Sequence, residues 1–358
     1  MSKFHPLAVS HVRQETRDTI VATFDVPPDL RERFAFTQGQ HLTLRATING
    51  EDLRRSYSIC SGVGDPELRV AIKRTTGGQF STWANDTLKP GIRIDVMPPM
   101  GHFNLPLAPD EARRYLAVAA GSGITPILSI VKTTLAAEPR SRFTLVYGNR
   151  SSASVIFREE LADLKDVHGS RLSIVHVMSR EQQDVELFNG RITREKCEQL
   201  FDRWIAVGDH DAAFVCGPEA MMDDVSAALQ ARGMAKESIK VERFAASIPR
   251  RAHVPHAGAA PGRAACEVTV IADGAHRTFS MEKDRVSVLD AGLAQGVDMR
   301  YSCKGGVCAT CRCKVLEGKV EMDANFALED YEIARGFVLS CQAFPVTDRV
   351  VLDFDQDS

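Results

Sequence analysis

Short stretches in which apolar and polar residues alternate fill the first hundred residues. Proline and glycine pairs, such as Asn49-Gly50 and Pro90-Gly91, separate these stretches. Alternation with a period of two is typical of a strand with one buried face. Strands at this spacing predict a small antiparallel six-stranded barrel with one helix. The predicted strands cover residues 4–12, 20–26, 41–47, 54–60, 68–73 and 92–97, and the helix covers 81–88.

From residue 114 the pattern changes to continuous apolar segments that alternate with helical ones. Tyr115–Ala120 is a wholly apolar strand, a glycine turn follows it, and a helix is predicted over residues 127–135. Alternation of this kind indicates a parallel sheet with helices on both faces. The other predicted strands are 143–147, 172–177, 212–216 and 239–244, and the other helices are 157–164, 194–204 and 218–232.

The pattern is interrupted at residues 246–264, which are rich in Ala, Pro, Gly, Arg and His. Such a composition without apolar periodicity predicts a flexible linker. A hairpin around Asp273-Gly274, a helix at 288–295 and strands at 312–316 and 350–354 are predicted beyond it. The predicted organisation is therefore a β-barrel domain over 1–110, an α/β domain over 111–245, the linker, and a third domain over 265–358.

Composition narrows the class of protein. The 358 residues are 44% hydrophobic and 25% charged, with a net charge of −3, which is ordinary for a globular protein and argues against nucleic acid or a membrane surface as a partner. No apolar run reaches membrane-spanning length, and the N-terminal residues lack a signal-peptide core. The nine cysteines do not resemble a disulfide framework, so a cytoplasmic location is expected.

Four of those cysteines have a diagnostic spacing. Cys303, Cys308 and Cys311 are separated by four and two residues, and Cys341 is a distant fourth. This is the plant-type spacing of [2Fe–2S] ligands, although a zinc site is an alternative. Cys313 lies two residues past the loop, where strand alternation should turn it away, so it is not predicted to be a ligand.

Two motifs in the predicted barrel suit a flavin nucleotide. Arg55-x-Tyr57-Ser58 combines a cation for phosphate, an aromatic ring that can pack on an isoalloxazine, and a hydroxyl for its N5 edge. An ordinary strand with an exposed Arg and a half-buried Tyr is an equal alternative.

The second barrel motif is Lys73 followed by Gly77-Gly78-Gln79-Phe80-Ser81, in which glycines run into a helix N-terminus. Unpaired N–H groups at such an end suit a pyrophosphate, with the Ser81 hydroxyl as a further donor. A plain glycine turn with a helix cap is the alternative.

Three turns at carboxyl ends of the predicted parallel strands suit a dinucleotide. Gly121-x-Gly123-x-Thr125-Pro126 can cradle a pyrophosphate, although it differs from the usual three-glycine fingerprint. Cys216-Gly217-Pro218 has small residues that let a nicotinamide approach; a plain strand-to-helix turn is the alternative.

The remaining turn bears on the choice of nicotinamide. Arg150 follows the second parallel strand and offers a bidentate donor for a 2′-phosphate, while no Asp or Glu stands immediately after that strand. NADPH is therefore predicted over NADH, which stays possible.

These motifs, in this order, resemble the ferredoxin–NADP reductase superfamily. With the four cysteines appended, the chain resembles oxygenase reductases, and the C-terminal domain resembles a ferredoxin β-grasp. The stretches at residues 54–60, 147–150 and 241–244 are most similar to the reductases of phenylacetyl-CoA ring epoxidases. The resemblance implies FAD rather than FMN, electron transfer to a separate oxygenase, and a role in phenylacetate and aromatic degradation.

Electron counting supports the same order of centres. NAD(P)H gives up two electrons as a hydride, the cluster accepts one at a time, and a flavin can do both. Ser58 is the candidate for the N5 contact, Thr125 for a flavin-facing hydroxyl, and Cys216 for bordering the nicotinamide. Phe244 covers the flavin or belongs to the core. A reductase for a steroid or other hydroxylase and a redox sensor without turnover are the alternatives.

Overall fold

The computed structural model describes residues 4–244, 265–283 and 285–356. Residues 5–53 and 57–243 form one compact unit, and the residues from 265 onwards lie in a second. The predicted linker, residues 246–264, lies outside the described residues.

The first hundred residues form one antiparallel six-stranded sheet, as the alternating pattern predicts. Where β4 ends, Ile59 pairs with Val70, and the N–H of Cys60 donates to the carbonyl of Arg69 at 3.0 Å. The two outer strands therefore meet, and the sheet closes into a barrel around fully buried side chains such as Leu42 and Ile72. The strands are β1 (His5–Thr16), β2 (Thr19–Asp25), β3 (His41–Ile48), β4 (Glu51–Ser58), β5 (Leu68–Lys73) and β6 (Arg93–Met100), in the order β4-β3-β6-β1-β2-β5, and helix α1 (Gln79–Thr87) follows β5.

The middle of the chain forms a parallel five-stranded sheet. Its order reverses beside the first strand, because β8 lies on one side of β7 and β10 on the other, and such a switch point opens a ligand crevice at the carboxyl ends. The strands are β7 (Arg114–Ala120), β8 (Arg142–Asn149), β9 (Leu172–Met178), β10 (Ala212–Cys216) and β11 (Ile239–Glu242), in the order β11-β10-β7-β8-β9. The helices are α2 (Ile124–Ala137), α3 (Arg158–His168), α4 (Arg194–Arg203) and α5 (Glu219–Ala231).

The continuous apolar strands are explained by burial on both faces of this sheet. One face carries Leu116, Val118 and Val215, which pack with the buried residues of α4 and α5. On the other face Tyr115 and Phe143 stack with ring centroids 5.2 Å apart. Helix α2 begins three residues earlier than predicted, so Pro126 lies within its first turn, where its missing N–H costs nothing.

The C-terminal domain is a five-stranded β-grasp sheet against one short helix. Val288 and Leu289 of the helix are fully buried, and the Ser287 hydroxyl caps it by accepting from the Asp290 N–H at 3.1 Å. Its elements are β12 (Ala265–Ala272), β13 (Ala275–Glu282), α6 (Val288–Ala294), β14 (Arg312–Glu317), β15 (Val320–Met322), α7 (Asp330–Ala334), β16 (Phe337–Leu339), β17 (Ala343–Pro345) and β18 (Arg349–Asp353). The sheet order is β13-β12-β18-β14-β16, and β15 pairs with β17.

The short elements β15, α7, β16 and β17 were not predicted, because three to five residues are too few to show a period. Among the described residues no helix is long and apolar enough to cross a membrane.

Candidate functional site

The cysteine-rich loop between α6 and β14 has an unusual backbone. Lys304, Gly306 and Ala309 all have positive φ, at 52°, 75° and 51°. A non-glycine residue in this region is strained, and such strain clusters at functional sites. The curl turns N–H groups inward: the Gly305 N–H lies 3.3 Å from the Cys303 sulfur. The loop therefore supplies both thiolates and backbone donors to one point.

The four predicted ligands come together as two pairs of thiols. The Cys308 thiol has the largest effect on the pKa of Cys303, and the Cys341 thiol, which arrives from the turn between β16 and β17, has the largest effect on that of Cys311. A binuclear cluster with four thiolates places two on each iron, so the pairing fits [2Fe–2S]. Among the described residues no group of three or more His, Cys, Asp or Glu side chains is arranged to hold one metal ion.

The electrostatics of the loop also suit an anionic, metal-bound state. The Cys308 thiol and nearby backbone N–H groups lower the pKa of Cys303 to about 6, against the effect of burial. The neighbouring Cys303 and burial raise the pKa of Cys308. A thiol with a raised pKa, such as Cys308, gives up its proton when a metal binds, so cluster binding and proton release are coupled.

Two neighbouring side chains frame the four cysteines. The Gln342 amide donates to the Lys304 carbonyl at 3.0 Å and lies 3.7 Å from the Cys341 sulfur, which ties the distant fourth cysteine to the loop. The Cys313 sulfur instead lies against the Val338 carbonyl at 3.8 Å, and burial raises its pKa. Cys313 thus lies on the strand after the loop, as expected of a non-ligand.

The Arg55-x-Tyr57-Ser58 motif lies at the end of β4. Arg55 is exposed, Tyr57 is half-buried and Ser58 is buried. The Tyr57 ring packs on Phe80 with centroids 5.8 Å apart, so the fold joins this motif to the second flavin motif. The guanidinium of Arg55 donates to the Arg54 carbonyl at 2.7 Å and stays exposed, where it can reach an anion.

The glycine turn before α1 is built by its own side chains. The Ser81 hydroxyl accepts from the Thr75 N–H at 3.1 Å and donates to the Gly78 carbonyl at 3.2 Å. A Cβ on Gly78 would lie 2.2 Å from the Thr75 hydroxyl oxygen, so a larger residue there would displace the side chains that build the turn. The Ser81 hydroxyl proton is therefore already donated within the turn. The backbone N–H groups in the first turn of α1, which begins at Gln79 and Phe80, remain available to a phosphate.

Lys73 connects the flavin motifs to the first dinucleotide turn. Its ammonium lies 3.7 Å from the Asp18 carboxylate and 3.9 Å from where a Cβ would stand on Gly121, whose φ is +54°. A cation next to a glycine turn that opens a helix is the electrostatic arrangement that a pyrophosphate needs.

The turns after β7 and β10 touch each other. A Cβ on Gly123 would lie 2.0 Å from the Cys216 carbonyl oxygen, and one on Gly217 would lie 3.2 Å from the Ala120 nitrogen at the end of β7. The missing side chains thus allow one backbone to lie directly on the other. Gly121–Pro126 and Cys216–Pro218 form a single crevice at the sheet switch point.

The hydrogen bonding of Thr125 and the pKa of Cys216 define where the protons of these two predicted site residues lie. The Thr125 hydroxyl donates to the Ser122 carbonyl at 3.0 Å, which leaves its oxygen free to accept. Cys216 is fully buried, and burial together with Glu242 raises the pKa of its thiol well above its usual value. The thiol is neutral, so it is not activated as a nucleophile, and its proposed place beside the nicotinamide stays a prediction.

Sequence reasoning missed part of the edge where Arg150 lies. The N–H of Arg180, just after β9, donates to the Arg150 carbonyl at 2.8 Å, so a second exposed Arg stands beside the first. Glu181 also reaches this edge, and the Ser152 N–H donates to its carboxylate at 2.8 Å. Part of the signal was available, since Ser179-Arg180-Glu181 directly follows a predicted strand, whereas the pairing of that strand with the one that carries Arg150 is visible only in the structure.

Three features of the chain define its class: the loop with four cysteines, the barrel with two flavin motifs, and the dinucleotide crevice. They are the parts of an NAD(P)H-dependent flavin and iron–sulfur oxidoreductase. Family models agree with each part. The "Oxidoreductase FAD-binding domain" matches residues 6–105, the "Oxidoreductase NAD-binding domain" matches 117–227, and the "2Fe-2S iron-sulfur cluster binding domain" matches 270–346. FAD, a nicotinamide and a [2Fe–2S] cluster are its cofactors, so the cluster is confirmed over the zinc alternative.

Related proteins match the chain over nearly its whole length. The chain is 49% identical to a component of the 1,2-phenylacetyl-CoA epoxidase of Escherichia coli (strain K12), over 99% of both chains. It is 37% identical to "3-ketosteroid-9-alpha-monooxygenase, ferredoxin reductase component" of Rhodococcus rhodochrous, over 97% of this chain and 96% of that one. Its fold matches phthalate dioxygenase reductase with a TM-score of 0.57 at 23% identity, over 98% of both chains. The chain therefore belongs to the family of oxygenase reductase components that combine FAD-binding, NAD-binding and [2Fe–2S] domains.

Proposed function

We propose that this reductase passes electrons from NADPH, through FAD and the cluster, to an oxygenase that epoxidises the ring of phenylacetyl-CoA. The observation that carries the proposal is the 49% identity to an epoxidase component over essentially the whole chain. A steroid hydroxylase is the second candidate acceptor, because the identity to a steroid monooxygenase reductase is 37%. The phenylacetyl-CoA epoxidase is preferred by that difference of 12 percentage points (49 − 37).

The proposed roles follow the contacts of each motif. Arg55, Lys73 and the N–H groups around Gly78 bind the flavin phosphates, with Gln79, Phe80 and Ser81 shaping that turn. Tyr57 packs on the isoalloxazine, Ser58 contacts N5, and Thr125 accepts a hydrogen bond from the flavin or nicotinamide side of the crevice. The flavin, when bound, converts a two-electron donor into a one-electron supply.

The nicotinamide dinucleotide lies across the joined turns in this proposal. Gly121 and Gly123 let its pyrophosphate reach the N-terminus of α2, where Pro126 presets the first turn. Cys216, Gly217 and Pro218 border the nicotinamide ring. Cys303, Cys308, Cys311 and Cys341 hold the cluster. The domain boundaries at 110, 245 and 265 remain part of the proposal.

NADPH is preferred because two exposed guanidiniums, of Arg150 and Arg180, stand where the 2′ substituent of the ribose would lie. Glu181 argues the other way, since a carboxylate can accept a 2′-hydroxyl. Its hydrogen bonds from Ser152 hold the pKa of Glu181 low, so it is anionic and already has partners. Two cationic side chains against one carboxylate at this edge favour the 2′-phosphate of NADPH.

A cytoplasmic location is also proposed. All nine cysteines are free thiols, and four of them are assigned to a cluster, which suits a reducing compartment.

Reconstitution tests the acceptor. The purified reductase is mixed anaerobically with the oxygenase component of the Escherichia coli phenylacetyl-CoA epoxidase, NADPH and phenylacetyl-CoA, and oxygen is then admitted. We expect the ring epoxide by mass spectrometry. The matched mixture contains a steroid 9α-monooxygenase oxygenase and its substrate. Product in that mixture alone would overturn the assignment in favour of the second candidate.

A further inference from the structure

Four charged side chains outside the cofactor motifs form a partly buried network. The Lys132 ammonium lies 2.5 Å from the Asp65 carboxylate and 2.8 Å from that of Glu160. The Arg69 guanidinium lies 2.8 Å from the same Glu160 oxygen and 3.7 Å from Asp65. The four side chains are only 12% to 24% exposed.

The network joins three elements that are distant in sequence. Asp65 and Arg69 belong to the barrel, in the turn before β5 and on β5 itself, whereas Lys132 lies on α2 and Glu160 on α3. A neutral bond supports the same contact, since the Val63 N–H donates to the Thr133 hydroxyl at 3.0 Å. The network thus ties the barrel to the dinucleotide domain, in addition to the bond from the Phe157 N–H to the Glu15 carboxylate at 2.7 Å.

The residues of the network are close in sequence to residues of the proposed cofactor motifs, both in the barrel and on helix α2. Lys132 is seven residues after Thr125, so the two lie on the same face of α2, about 10 Å apart along the axis. Asp65 follows Ser58 by seven residues, through a compact turn in which the Gly62 N–H donates to the Asp65 carboxylate at 2.9 Å. Arg69 is four residues before Lys73 on β5.

The pKa values of Lys132 and Glu160 keep both groups charged. Burial lowers the pKa of Lys132, but its bonds to Asp65 and Glu160 raise it overall. Burial raises the pKa of Glu160, but Arg69 and Lys132 lower it overall. Partly buried ion pairs add little net stability compared with apolar packing, whereas they impose a specific geometry.

We infer that Asp65, Arg69, Lys132 and Glu160 are positioning residues that set the rotation and depth of helix α2 against the barrel, and so the approach of the nicotinamide to the flavin. In that step the nicotinamide loses a hydride, two electrons and one proton, and the flavin gains it. The rate depends steeply on alignment, because a 1 Å misplacement can cost about a hundredfold. The inference rests on the proposed placement of the flavin at Ser58 and the nicotinamide at Thr125.

The test compares Lys132→Met with Lys132→Arg, which keeps the cation. A matched control is Arg232→Met, because Arg232 also bridges two carboxylates, Glu198 and Asp202, but joins only α4 to the end of α5. Stopped-flow absorbance at saturating NADPH gives the rate of flavin reduction and the long-wavelength band of the stacked nicotinamide–flavin pair. Hydrogen–deuterium exchange of the backbone amides reports whether the network still holds the barrel against helix α2.

We expect Lys132→Met to slow flavin reduction about tenfold at unchanged FAD content, with a weaker long-wavelength band. Exchange should rise in both peptides that the network joins, residues 59–66 and 124–137. Lys132→Arg should restore the rate, and Arg232→Met should change neither readout. If Lys132→Met itself does not fold, the pair Asp65→Asn with Lys132→Met removes the uncompensated carboxylate and still breaks the tie.

A wild-type rate and wild-type exchange in Lys132→Met or in the double variant would overturn the inference, as would an equal slowing in Arg232→Met. The variant Ser58→Ala is measured in parallel. It distinguishes a failure of this inference from a failure of the proposed flavin site on which the inference rests. If Ser58→Ala reduces at the normal rate, the proposed flavin placement fails, whereas the exchange result still decides whether the network ties the two domains.

Discussion

The cluster loop and the dinucleotide crevice offer different parts of the chain to their proposed ligands. In the loop the donors are side chains, four cysteines brought into two pairs, and the backbone is strained to present them. In the crevice the proposed binding groups are backbone N–H groups at helix ends, which the absence of side chains at Gly121, Gly123 and Gly217 leaves accessible.

The two regions should therefore fail in opposite ways. Removing one side-chain atom is enough to lose the cluster, whereas adding one methyl group is enough to spoil the crevice. The substitutions below test this contrast, each with a control in the same region.

The largest effect is expected from Cys308→Ser, which removes one thiolate of the Cys303–Cys308 pair. Cluster absorbance and cytochrome c reduction should be lost, while NADPH still bleaches the flavin at nearly the normal rate. Cys313→Ser is the control and should keep the cluster, because the Cys313 sulfur lies against the Val338 carbonyl. Equal loss of flavin reduction in Cys308→Ser would show that the cysteine supports the whole fold.

The next largest effect is expected from Gly123→Ala. Its new methyl carbon would lie 2.0 Å from the Cys216 carbonyl oxygen, so the two turns must separate. We expect flavin reduction by NADPH to fall at least tenfold, with a loss of about 1–3 kcal/mol in the free energy of unfolding. The cluster should be unaffected. Gly208→Ala is the control, since nothing lies within 4 Å of its Cβ position. A Gly123→Ala enzyme with a normal rate would contradict the shared crevice.

A smaller effect is expected from Gly78→Ala, which affects the flavin turn alone. The Cβ would meet the hydroxyl oxygens of Thr75 and Ser81 at 2.2 and 2.6 Å, and these flexible groups can move only by breaking the hydrogen bonds of the turn. We expect FAD affinity to fall about tenfold, measured by flavin fluorescence on dilution, which corresponds to about 1.4 kcal/mol. Gly64→Ala has open space around it and should keep FAD.

The smallest effect is expected from Arg150→Gln and Arg180→Gln, which leave the backbone of the crevice intact. Each should raise the KM for NADPH about tenfold and leave that for NADH nearly unchanged, because a charge-assisted bond to a phosphate is lost. Glu181→Gln should shift the preference further toward NADPH. The ratio of kcat/KM for the two nicotinamides measures this. A loss that is equal for both would place the 2′ substituent elsewhere.

Much of the fold could be predicted from pattern alone. The strands Ala212–Cys216 and Leu68–Lys73 lie where the apolar pattern predicts them. Short segments that are so strongly apolar or alternating are compatible with few structures other than a strand. The short elements of the C-terminal domain, such as α7 and β16, could not be predicted. Tertiary contacts form them, as in the cation–π contact of Arg312 with Phe337 and the ion pair of Arg312 with the buried Glu332.

The candidate site shows the same division. The cysteine spacing predicts the cluster ligands, since a loop of this length can wrap only a small metal centre. The contact of Gly123 with Cys216 joins residues 93 positions apart (216 − 123). The arrival of Arg180 and Glu181 beside Arg150 depends on strand order, which periodicity does not encode.

The amino-acid sequence by itself determined much of the local chemistry: which cysteines are the candidate cluster ligands, which glycines open the turns, and where the longer strands and helices lie. These depend on spacing and on the intrinsic conformational limits of each residue, which act over a few positions. Only the tertiary structure decided how the thiols pair, which turns share a crevice, and that Asp65, Arg69, Lys132 and Glu160 meet. Those relations join residues far apart in the chain, and close packing of the sheets and helices sets them.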